Sequence, residues 1–72
     1  MSKSFVEIKA DNGNTDVMIL VDDISAVWLS NTSAGTIFQI YYGRYEVQVN
    51  DHDIATANYK RIKQALGVND ET

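Results

Sequence analysis

The chain has 72 residues, 44% of them hydrophobic, with no cysteine and no proline. One domain is the only sensible count, and a domain this small buries only about 60% of the surface its unfolded chain exposes. Without cysteine there are no disulfides or thiolate metal sites, one histidine is too few for zinc, and a net charge of −4 counts against nonspecific phosphate binding.

The first strand is expected over residues 4–10. Val6, Ile8 and Ala10 share one face; Phe5, Glu7 and Lys9 take the other. The opening stretch MSKSFVEIKA has neither a long apolar core nor a cleavage pattern of the secretory kind. No stretch reaches the roughly 20 apolar residues of a membrane span. With the lack of cysteine, these features set the expectation of a soluble, cytoplasmic protein. Asp11-Asn12-Gly13-Asn14 then signals a tight hairpin, because Asn-Gly tolerates positive φ.

The second strand is expected over 16–21, with Val17, Ile19 and Val21 opposed by Met18 and Leu20. A strand apolar on both faces is expected to be covered on both. Asp22-Asp23 breaks the chain as a solvated turn; a carboxylate pair doing acid–base work would need a further catalytic group, and none is in view. The third strand, 24–30, sets Ile24, Ala26 and Trp28 against Ser25, Val27 and Leu29. Trp28 is expected in the core or at a subunit interface.

Asn31 to Gly35 form a turn by composition. The fourth strand, 36–42, opposes Phe38, Ile40 and Tyr42 to Ile37, Gln39 and Tyr41. Gly43 turns the chain into the fifth strand, 44–49. That strand should bury Tyr45, Val47 and Val49 and show Arg44, Glu46 and Gln48.

The period then changes. A helix is expected over about 53–66, capped by Asp51 or Asp53. Its apolar stripe is Ile54, Asn58, Ile62, Ala65 and Leu66, with Ala55 and Tyr59 beside it. Lys60, Arg61, Lys63 and Gln64 form a solvated face, Gly67 stops the helix, and the tail 68–72 is expected to fray. Asp51-His52-Asp53 suggests a metal site or triad at first sight. Neighbours in such a turn point apart and no serine is placed as a nucleophile, so a cap and an exposed histidine are expected. No enzyme activity and no cofactor follow from any of these residues.

Five short strands in consecutive hairpins tend to curl into a small barrel. Open edges and two-faced strands then call for association through edge strands. In this respect the chain resembles the Sm and Sm-like family, over about residues 5–50. The stretch VDDISAVWL resembles the family's first motif: Val21 and Asp22 fit, the spacing is one residue short, and Ser25 stands where asparagine is usual. IFQIYYGRYEVQV resembles the second: Gly43 fits, Tyr42 replaces the basic residue, and Arg44 follows the glycine.

The resemblance implies a mainly β fold: a five-stranded, strongly bent antiparallel barrel in meander order, here followed by one C-terminal α-helix. It also implies a homo-oligomeric ring, taken as about five to seven copies joined through edge strands. In the family the two turns line the pore and bind single-stranded RNA. By position that makes Asp23, Ser25, Tyr42, Gly43 and Arg44 the nucleic-acid-binding candidates, with Tyr41 beside them. In size, acidity and lack of cysteine the chain is also similar to small Sm-like proteins of marine phage. The function expected is non-catalytic binding of RNA or single-stranded nucleic acid, in RNA processing within an infected host cell. The alternative is a small acidic adaptor or inhibitor that binds a host protein.

Overall fold

The computed structural model describes residues 4–67; the fraying expected of 68–72 lies outside them. In chain order it contains β1 (Phe5–Ala10), β2 (Thr15–Leu20), β3 (Ile24–Thr32), β4 (Gly35–Tyr42), β5 (Tyr45–Val49) and α1 (His52–Leu66). The strands form two antiparallel sheets, β1–β2 and β3–β4–β5. Consecutive strands pair within each sheet, while β2 and β3 are joined through the turn Val21–Asp23 without a shared ladder.

Asn12 and Gly13 close the first hairpin as their chemistry predicts. Asn12 sits at φ 54°, ψ 38° and Gly13 at φ 94°, and Asn14 N–H donates to Asp11 O at 3.1 Å. Asp11 is at positive φ as well (52°), so three successive residues of the four-residue connection between the paired Ala10 and Thr15 take left-handed backbone. The turn sets Val6 opposite Ile19 and Ile8 opposite Val17. The other face carries Phe5 against Leu20, Glu7 against Met18, and Lys9 against Asp16. The last pair is an exposed 2.5 Å ion pair, of small energetic weight.

In the second sheet Val27 faces Ile40 and Leu29 faces Phe38 across β3–β4, while Val47 and Val49 face Ile40 and Phe38 across β4–β5. These inner faces meet α1, which lies against β1, β4 and β3. Val6, Ile8, Ile19, Phe38, Ile40, Val49, Ala55 and Ile62 form the buried core.

The helix is held at both ends. Asp51 Oδ1 accepts the amide of Ile54 at 3.0 Å. Gly67, at φ 78°, donates its amide to Gln64 O at 3.2 Å. In the middle, Asn58 is wholly buried. Its Nδ2 donates to Lys9 O (2.8 Å) and its Oδ1 accepts from Lys9 N–H (3.0 Å). The carboxamide thus pairs with the edge of β1 turned away from β2, as a neighbouring strand would. Further along, Arg61 Nη1 donates to Glu7 O at 3.4 Å.

Several expectations are corrected. Register shifts between Ile24 and Ala26, which pair with Tyr42 and Tyr41, so Ser25 is the extra residue of a β-bulge. Ile24 therefore packs on the core with Val27 and Leu29, and Trp28 faces out at 47% exposure. Tyr45 is 64% exposed: it lies on the inward face, but at the hairpin end, beyond the reach of the helix. Met18 and Leu66 are also exposed, so the second face of β2 is only partly covered, at the half-buried Leu20, and the helix stripe loses its last member. Ala55, expected beside that stripe, is in the core. Lys63, expected to point outward, is half-buried with Nζ 5.6 Å from the Tyr59 ring centre.

Replacing Asn58 with alanine leaves two backbone groups of Lys9 unpaired, and stability should fall by about 2–3 kcal/mol in urea unfolding. Gly13→Ala forces a side chain onto positive φ and sets its Cβ 3.0 Å from Ile54 Cδ1. It should cost about 1–3 kcal/mol in the same assay.

Candidate functional site

The turn between β2 and β3 and the turn between β4 and β5 meet. Gly43 N–H donates to Asp23 O at 2.9 Å. Gly43 sits at φ 58°, a conformation glycine adopts at no steric cost. The bulge residue adds a second tie, since Ser25 Oγ donates to Tyr41 O at 3.2 Å. Two turns far apart in the chain are thereby locked side by side.

Next to this junction is an open groove of about 370 Å³, lined by Ser25, Tyr41, Gly43, Arg44, Tyr45 and Glu46. Its volume is near the lower end of the range of about 300–1,000 Å³ seen for small-molecule sites. Of the residues proposed from the sequence, Ser25, Gly43 and Arg44 line it. Asp23 contributes its backbone carbonyl to the junction, and its side chain is exposed on the adjoining turn. Tyr42 is half-buried on the inner face, packed against the core. Its ring centre is 5.8 Å from that of Tyr45, with the planes tilted by 33°.

The residues that sequence reasoning missed are Tyr45, expected to be buried, and Glu46, expected only as an exposed strand position. The outer face of the three-stranded sheet continues from the groove. Trp28 meets Tyr41 edge to face, ring centres 5.3 Å apart. Gln39 Nε2 donates to Tyr41 Oη at 3.2 Å and also to the Glu46 carboxylate. Nothing in the described part of the chain covers this face, because α1 occupies the opposite one.

In the Asp51-His52-Asp53 run, the first two side chains have partners within the fold. Asp51 is the helix cap. Thr36 Oγ1 donates to Asn31 Oδ1 at 2.7 Å and shares a 2.9 Å hydrogen bond with His52 Nδ1. That second bond ties His52, at the start of α1, to the β3–β4 hairpin. Among the described residues no group of three or more His, Cys, Asp or Glu side chains is placed to hold a metal ion. Among them, too, no helix is long and apolar enough to cross a membrane.

Comparison of the chain with family models, with curated proteins and with solved structures returned no match.

Trp28 is the only tryptophan and reports on the open face. In dilute solution its emission should be readily quenched by acrylamide. If copies associate through this face, quenching should fall as protein concentration rises; unchanged quenching across that range places the association elsewhere.

Proposed function

We propose that the protein is a non-catalytic, Sm-like binding module that takes single-stranded RNA in the groove beside its joined turns. The observation that carries this reading is the Gly43–Asp23 hydrogen bond. It sets the two turns singled out by the Sm resemblance against each other, beside Tyr45, Tyr41 and Arg44. Aromatic faces stack bases at about 1–3 kcal/mol each, and the arginine supplies charge with a planar surface. In the finer form of the proposal the two sheets belong to one bent, Sm-like barrel. Copies close into a ring through their edge strands and work on RNA in the cytoplasm, that of a host cell if the chain is phage-encoded.

With a single arginine in the groove, affinity rests on stacking more than on charge. Fluorescence anisotropy with short labelled RNAs at low salt should show binding. The slope of log affinity against log salt should be shallow, about −0.7 for each phosphate contacted on a single strand. Tyr45→Ala combined with Arg44→Ala should abolish binding while leaving the circular dichroism spectrum unchanged. Absence of binding by the unaltered protein ends the RNA reading, and a monomeric mass by light scattering ends the ring.

A second reading has its own support. Asp22, Asp23 and Glu46 are all exposed around the same end of the sheet, which suits a basic segment of a partner protein. Capture of such a partner from host lysate after nuclease treatment, with no RNA binding, favours that reading.

A further inference from the structure

The groove assigned above to RNA contains a carboxylate, which is a poor neighbour for phosphate. Glu46 lies on β5 among the groove residues, held from one side by the Nε2 of Gln39. Gln39 thereby orients the carboxylate and uses only part of its accepting capacity, since an ionised carboxylate offers about four lone-pair sites. What remains is an acceptor on the outer face, across the strand pair from the exposed Tyr41 and among the same groove residues as Arg44. An acceptor at such a place does not attract the backbone of a nucleic acid. It sorts bases by the N–H groups along their edges.

We propose that Glu46 makes this groove selective for guanine. The inference rests on the RNA reading of the same site. Guanine presents N1–H and N2–H side by side on its Watson–Crick edge, and two parallel donors match two carboxylate oxygens in the bidentate manner of a guanidinium. Uracil has one N–H between two carbonyl oxygens, and both oxygens would face the carboxylate. Adenine and cytosine each set an amino group beside a ring nitrogen that is itself an acceptor. Tyr41 provides the stacking surface: it is the cross-strand partner of Glu46 on the same outer face, and the residue as a whole is 39% exposed. Arg44 adds donors for the guanine O6 or for the flanking phosphate. Single-stranded bases are commonly read in this way, by stacking together with hydrogen bonds to the Watson–Crick edge.

The sign of the effect differs between bases, and this separates selection from a merely structural role. Replacing Glu46 with glutamine removes the two-acceptor match for guanine. It also removes the repulsion of phosphate and of uracil oxygens. The experiment uses the full chain and labelled RNA hexamers that are identical, in a uridine background, except for one central G, A, C or U. The unaltered protein should bind the G hexamer at least ten-fold more tightly than the U hexamer. Glu46→Gln should weaken the G hexamer and strengthen the U hexamer, so that the two converge. Glu46→Asp, which keeps the two oxygens but withdraws them, should retain a reduced preference for G. Equal binding of all four hexamers by the unaltered protein overturns the inference and leaves the RNA reading standing. A uniform loss across the four in Glu46→Gln overturns it too. No binding of any hexamer overturns the RNA reading and the inference with it.

Discussion

The fold depends on one side chain. Asn58 is buried on α1, and its carboxamide makes both hydrogen bonds that a neighbouring strand would offer to Lys9. A buried polar group is tolerable only when its partners are in place, so this pairing fixes where the helix sits along β1 and how deeply. The same helix packs on β4 and β3, and through it the two sheets share one core. Apolar burial supplies the driving force, but burial is indifferent to small slides of one surface over another. Two hydrogen bonds to a named backbone position are not. They also close part of an edge that would otherwise be open to pairing with other chains, and the contact of Arg61 with Glu7 O continues that closure by one turn of helix.

With α1 on the inner face, the outer face of β3–β4–β5 is left without cover. The bulge at Ser25 decides what stands there. One unpaired residue shifts the alternation of β3, so Ile24 joins the core and the indole of Trp28 goes out beside Tyr41. The same bulge residue bonds to Tyr41 O, and the turn just before it accepts the amide of Gly43 through Asp23 O. Groove, aromatic pair and turn junction thus gather around one irregularity at the start of one strand.

Much of this was legible from residue patterns, because period-two alternation and turn chemistry are local. Val6 and Ile8, Phe38 and Ile40, Val47 and Val49 all face the way their spacing requires. Asn12-Gly13 turns, Asp51 caps and Gly67 stops the helix for the reasons their chemistry gives. The strand pairing within each sheet follows from the short connections. What escaped was the bulge, since serine has no compositional mark for one; Trp28, expected in the core or at a subunit interface, is not in the core. Tyr45 escaped for a different reason. Alternation says which face a residue is on and nothing about how far along the strand the cover extends, and the helix does not reach the β4–β5 hairpin end. At the site, the meeting of the two turns was anticipated through family resemblance. The place of Glu46 beside the groove was not, because an exposed acid on an amphipathic strand is ordinary until its neighbours are known.

The clasp between Lys9 and Asn58 joins positions 49 residues apart. During synthesis at about 5–20 residues per second, β1 leaves the ribosome seconds before the segment that will shield its flank. Until α1 follows, the nascent chain is a set of hairpins without a lid, prone to stick to other extended segments. The core of the described residues therefore closes only once α1 has been made.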